Sequence, residues 1–214
     1  MVYPIAKWIV PPIYKLWTRK VEGLENLPKN KPFILAANHA SYYDALLLHV
    51  IVIPKLNRQV HALSNSRYWK IFPSGLIVEW GKCIPVYVGK EKDIKKNEQS
   101  LKKALECLKK GNIIQIFPEG TRSYDGKIKK GHSGVARLAL KAKVPVIPVG
   151  IIDSDKVMPK GKFFPRFARC EVKIGKPMYL KRYYGKKPDE KNLEEVTGKV
   201  MNEIAKLIGQ KYNH

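Results

Sequence analysis

The chain has 214 residues, of which 44% are hydrophobic and 10% aromatic, enough for one domain with a real core. Its 41 Lys+Arg against 18 Asp+Glu give a formal charge of +23, so its partners are polyanionic: nucleic acid, an anionic membrane, or phosphorylated small molecules and carriers. Cys83, Cys107 and Cys170 form no CxxC pair and the histidines no HExxH pattern, which argues against a metal site and for reduced, buried thiols in a cytosolic chain.

The first stretch, MVYPIAKWIVPPIYKLWTRK, is apolar but lacks the cleavage site of a signal peptide. Lys7, Lys15 and Pro11-Pro12 interrupt it, and a bilayer crossing needs about 20 predominantly apolar residues. Ile5, Trp8, Ile9, Ile13, Leu16 and Trp17 fall at helical spacing. That predicts two short amphipathic helices, Pro12 opening the second. They lie either in a membrane interface, which suits Trp8, Trp17 and the flanking Lys and Arg, or on the protein's own core. This segment is set at residues 1–22, and the main domain at 23–214.

Along the main domain, residues 33–37 read as a buried strand, followed by a helix carried by Ala45 to Val52. Residues 59–64 are a short strand candidate, 66–80 are undecided, and 83–88 read as a strand. Residues 93–110 read as a helix with Ile94, Leu101, Leu105 and Leu108 along one side, stopped by Gly111. Then come a strand at 112–117 and a helix at 132–143 with Val135, Leu138, Ala139 and Ala142 inward. The prolines of 144–151 predict an irregular or edge strand. A strand at 170–174 and an amphipathic helix at 189–211 complete the chain. Alternating strands and helices predict an α/β fold, a mostly parallel central sheet flanked by helices.

In such sheets, sites form in loops beyond the carboxyl ends of strands. Two loops qualify. In NHASYYD, residues 38–44, His39 lies in the turn after a strand and Ser41-x-x-Asp44 resembles a capping arrangement. Asp44 in the first helical turn can cap, and it can also reach back to His39. A carboxylate on one imidazole nitrogen frees the other as general base. In FPEGTRS, residues 117–123, Gly120 lets the backbone turn and approach a ligand, Thr121 and Ser123 offer hydroxyls, and Arg122 offers a fork of donors suited to phosphate. A solvated surface loop is the plainer reading of Glu119 and Arg122. Further on, GHSGV fails the GxSxG nucleophile pattern at Val135.

Taken together, NHASYYD resembles the NHxxxxD motif of the glycerolipid acyltransferases, the family of the 1-acylglycerol-3-phosphate acyltransferases. FPEGTRS resembles the same family's second motif, and KKGHSGVARLA and VPVIPVG resemble its later blocks in the same order. The resemblance implies that His39 is the general base, supported by Asp44, in moving an acyl chain from a thioester to the hydroxyl of 1-acylglycerol 3-phosphate. It implies that Gly120, Thr121 and Arg122, with Lys130 as a further contact, bind the acceptor phosphate. Glu119 either contacts the acceptor or holds the loop. No cofactor is implied beyond acyl-CoA or acyl-carrier protein as co-substrate. The implied partners are a lysophospholipid and an anionic membrane surface, with the chain peripheral or monotopic on the cytoplasmic face. Nucleic acid is set aside, since no binding motif or aromatic RNA platform is present. Val88 stands near the place where the family often has an arginine, which leaves another lysolipid or glycerol 3-phosphate as the alternative acceptor.

Overall fold

The apolar run FILAA becomes β2 (Phe33–Ala37), and all five residues are buried. Successive side chains point to opposite faces. Ile34 and Ala36 enter one core, while Phe33, Leu35 and Ala37 enter another. A strand apolar at every position is what a sheet covered on both faces requires. The computed structural model describes residues 12, 16–159, 165–185 and 189–214.

Around β2 run β1 (Thr18–Glu22), β3 (Val60–Asn65), β4 (Ile84–Val86), β5 (Ile113–Ile116), β6 (Val146–Ile152) and β7 (Cys170–Ile174), in spatial order β1-β7-β6-β2-β5-β3-β4. Every ladder is parallel except β6 with β7. The helices are α1 (Tyr43–Leu56), α2 (Ser74–Trp80), α3 (Ile94–Lys109), α4 (Gly134–Ala142), α5 (Ser154–Val157) and α6 (Glu190–Leu207). One face of the sheet packs on α3, α4 and α6 through Leu108, Leu138, Val196 and Val200; the other packs on α1 through Leu47, Leu48 and Val52. The Asp93 and Asp189 carboxylates accept the backbone N–H groups of Lys96 and Asn192 and so start α3 and α6. The result is the expected α/β fold with a mostly parallel sheet.

Several sequence expectations need correction. Residues 18–22, assigned to the helical segment, form edge strand β1 on β7; residues 1–11 and 13–15 of that segment lie outside the described residues. The β4 strand is shorter than 83–88, and α6 stops at Leu207 rather than 211. Ile94 is not inward: it is 70% exposed, while Ala104 and Leu108 take the buried line of α3. Despite its prolines, β6 is not an edge strand, because it lies between β7 and β2. The nitrogen of Pro148 faces β7 where the regular ladder has ended. Between the Val149–Ile174 pair and the isolated Val146–Met178 bridge, only its carbonyl is needed, and it accepts from Gly175 N–H at 2.8 Å. The undecided stretch 66–80 holds a 3-10 turn, Ser66–Lys70, and α2.

Candidate active site

Both candidate loops leave the carboxyl ends of neighbouring parallel strands, β2 and β5, the place where open α/β sheets build sites. Asn38 fixes the first exit. It is 4% exposed, and its amide donates to the Ile151 carbonyl at 2.8 Å and accepts from Ile151 N–H at 2.7 Å. That doublet locks the end of β2 to β6.

His39 and Asp44 then meet across the turn, Nδ1 to Oδ2 at 2.8 Å. The same Asp44 oxygen accepts Ala40 N–H and Ser41 N–H, each at 2.8 Å, and the residue is fully buried. Ser41 Oγ accepts from Tyr43 N–H at 3.1 Å and donates to the Met158 carbonyl at 2.7 Å. The turn that leads into α1 and the His–Asp contact are therefore one structure. An ionised carboxylate accepts only, so Nδ1 carries the hydrogen and the lone pair is left at Nε2. The imidazole side chain keeps 18% exposure. Phe117 stacks on it at 4.0 Å between ring centroids and 13° between planes, fixing the ring's tilt.

The second loop is bonded to the histidine itself. Glu119 Oε1 accepts from His39 N–H at 2.9 Å, and Ser123 N–H donates to the His39 carbonyl at 2.7 Å. The second carboxylate oxygen of Glu119 accepts from Lys129 N–H at 3.0 Å, and the residue is 2% exposed. Burial pushes its pKa up to about 7, against the downward pull of those two N–H groups. Both oxygens are thus engaged by the protein's own backbone, which places Glu119 as the tie between the loops. Gly120 closes a turn on the Phe117 carbonyl at 3.0 Å with φ +65°, and a side chain there would press on the His132 ring. Its N–H is spent in that turn. Thr121 is exposed and makes no hydrogen bond with the other described residues.

Arg122 lies over the Tyr42 ring, its guanidinium carbon 3.3 Å from the ring centroid. Tyr68 meets the same ring edge-on at 6.4 Å. Such stacking holds a planar cation in one orientation. Lys130 is not brought to this group: it is exposed in a cleft with Arg137, Glu190 and Glu194, between α4 and α6. Its neighbour Lys129 is the one engaged, its ammonium donating to the Arg122 carbonyl at 3.2 Å. His49 and His61 stand apart, donating from Nδ1 to the carbonyls of Ala45 and Lys82, and burial lowers both their pKa values. Among the described residues, no group of three His, Cys, Asp or Glu could hold a metal ion.

A family model described as Acyltransferase matches residues 18–152. The chain belongs to this acyltransferase family. Its sequence is 31% identical over 178 residues to a chloroplastic 1-acyl-sn-glycerol-3-phosphate acyltransferase of Brassica napus, covering 82% of this chain and 49% of that one. A 1-acyl-sn-glycerol-3-phosphate acyltransferase of Bacillus subtilis is 27% identical over 190 residues, covering 88% of this chain and 87% of its own. The crystal structure of the Thermotoga maritima 1-acyl-sn-glycerophosphate acyltransferase superposes with a TM-score of 0.66 at 26% identity, covering 94% of this chain and 78% of that one. This acyltransferase-family chain spans about half the length of the plant relatives it matches.

Sequence reasoning passed over Asn38, Phe117, Tyr42 and Lys129. Phe117 and Asn38 each stood inside a motif already singled out, and a search for packing and backbone ties, rather than for proton-transfer groups, would have reached them. Tyr42 and Lys129 also stood inside quoted motifs, NHASYYD and KKGHSGVARLA, but neither spacing nor chemistry in the sequence pointed either of them at Arg122.

Proposed function

We propose that this chain transfers a fatty acyl group from an acyl thioester to the free hydroxyl of 1-acylglycerol 3-phosphate, giving phosphatidate. The observation that carries the reading is the 2.8 Å contact of His39 Nδ1 with Asp44, joined through the His39 backbone to the loop that holds Arg122. His39 Nε2 takes the proton of the acceptor hydroxyl as its oxygen attacks the thioester carbonyl. Asp44 stabilises the imidazolium that forms. When the tetrahedral intermediate collapses, the C–S bond breaks, and the proton leaves with the thiol carrier. Direct transfer to the hydroxyl needs no acyl-enzyme. Arg122, oriented by Tyr42, takes the acceptor phosphate, with the Thr121 hydroxyl and N–H beside it.

Either acyl-CoA or acyl-carrier protein suits the basic surface as donor, since both are anionic. The lipid acceptor places the chain on a membrane, as a peripheral or monotopic protein of the cytoplasmic face. Val88 favours a second acceptor reading. It is an apolar side chain, 39% exposed, and supplies no phosphate grip, so another lysolipid or glycerol 3-phosphate is the alternative.

The test is product identification with defined thioesters and a panel of acceptors on liposomes. Phosphatidate from 1-acylglycerol 3-phosphate is expected, and His39→Ala should lower turnover by roughly 10²–10⁴-fold, the usual span of general-base catalysis. A His39→Ala protein with normal acyl transfer would sink the base, and preference for a phosphate-free acceptor would sink the named substrate.

A further inference from the structure

The stretch that defied assignment from sequence carries a dense set of exposed apolar side chains. Between β3 and β4, Ile71 is 47% exposed, Phe72 84%, Leu76 61%, Ile77 53% and Trp80 54%. Only Val78 of α2 is buried. Water is a poor solvent for so many large apolar groups on one ten-residue element, and such a patch marks an interaction surface. Its position is not arbitrary. The segment leaves the carboxyl end of β3, the end of the sheet that bears both site loops, and it joins them through Tyr68, Tyr42 and Arg122. Ser74 Oγ bonds the carbonyls of Tyr68 and Ile71, at 2.9 and 2.6 Å, so the element is tied to that turn.

We infer that residues 71–80 dock into an anionic lipid bilayer, with Phe72, Leu76 and Ile77 among the acyl chains and the candidate site held at headgroup level. Charge decides in favour of a bilayer over a neutral partner. Exposed Arg67, Lys70 and Lys82 bracket the patch, Lys70 paired with Glu91 at 2.8 Å and Glu79 lying within it, and cations beside an apolar tip are what a membrane interface with anionic headgroups selects. The inference shares a lipid substrate with the function proposed above, yet it is read out by binding alone.

The test uses the full chain and vesicles of phosphatidylglycerol and phosphatidylcholine without acyl donor. A triple variant, Phe72→Ser with Leu76→Ser and Ile77→Ser, should lose about tenfold or more in vesicle affinity, since three exposed apolar side chains no longer leave water. Its thermal unfolding and its turnover on detergent-dispersed substrate should stay those of the parent. In a separate Phe72→Trp protein, brominated acyl chains should quench the added emission. Unchanged vesicle affinity of the triple variant, or no added quenching, overturns the inference. So does a concentration-dependent dimer that the triple variant abolishes, which would assign the patch to a second copy. Protection of the patch by residues 1–11 in the lipid-bound state, seen by crosslinking, would assign it to the chain's own N-terminal segment instead. Lost acyl transfer with intact docking would count against the proposed reaction only.

Discussion

His39 and Asp44 are separated by five residues, which suits neither a helix face nor a strand face. The turn between β2 and α1 resolves this, because Asp44 caps Ala40 and Ser41 with the oxygen that also holds the imidazole. That pair was legible because both residues and the turn lay within one short motif. Lys129 and Lys130 could not be told apart in the sequence, because residues 127–130 have no period from which to read direction; it is the Lys129 ammonium that reaches the Arg122 carbonyl. The burial of Glu119 was equally hidden, and it has a consequence for pH. Its folded pKa of about 7 lies above the ordinary value of 4.5. Folding therefore favours the protonated form. The stability this group contributes is fully present below about pH 4.5 and is lost as the pH rises through about 7, by on the order of 3 kcal/mol at most. In Glu119→Gln that slope should vanish. The amide nitrogen would also face a backbone N–H, so the variant should lose about 1–3 kcal/mol against the protonated parent. Chemical denaturation across pH 4.5 to 8 measures both effects; equal slopes in the two proteins would show that Glu119 does not titrate in this window.

At the scale of elements, long periodic segments were readable and short or half-buried ones were not. The helices α3 and α6 announced themselves by spacing, and β2 and β5 by unbroken apolar runs. By contrast, β1 reads TRKVE, because an edge strand buries little and tolerates charge. The exposed apolar residues of α2 have no helical stripe to read, since a stripe records burial against a core. Prolines misled in β6 because the rule concerns a missing N–H, and here that N–H would have met no acceptor in a ladder. The packing of β6 on α6 offers a test of opposite signs. A Cβ at Gly150 would lie 2.7 Å from Leu207 Cβ and 2.8 Å from Ile208 Cγ2, whereas one at Gly198 in α6 meets nothing within 4 Å. Gly150→Ala should destabilise by about 1–3 kcal/mol through overpacking. Gly198→Ala should stabilise by roughly 0.5–1 kcal/mol through helix propensity. Thermal melts of the two proteins should shift in opposite directions, and a Gly150→Ala melt at or above the parent's would show that α6 can slide away from the sheet at no cost.

For the whole molecule, the formal +23 is what remains after all 18 Asp and Glu are counted against 41 Lys and Arg, so none of it is removed by the ion pairs the fold makes. Those are mostly exposed lysines beside single acids, such as Lys20–Glu22 and Lys206–Glu203, and exposed pairs of this kind contribute little. The surplus acts at a distance, and near an anionic bilayer each well-placed Lys or Arg is worth about 1 kcal/mol. Among the described residues no helix is long and apolar enough to cross a membrane; the docking proposed above draws on charge and on shallow apolar contact. These two contributions respond differently to salt. The screening length falls from about 10 Å at 0.1 M salt to about 3 Å at 1 M, while apolar burial is not screened. Affinity for phosphatidylglycerol vesicles should therefore fall by about tenfold or more between low salt and roughly 0.5 M. Affinity for pure phosphatidylcholine vesicles should be weaker throughout and nearly flat. A sedimentation series over both vesicle types separates the contributions. Salt-independent binding to the anionic vesicles would mean that the basic surface faces away from the bilayer, leaving an anionic acyl carrier as the partner it was built to attract.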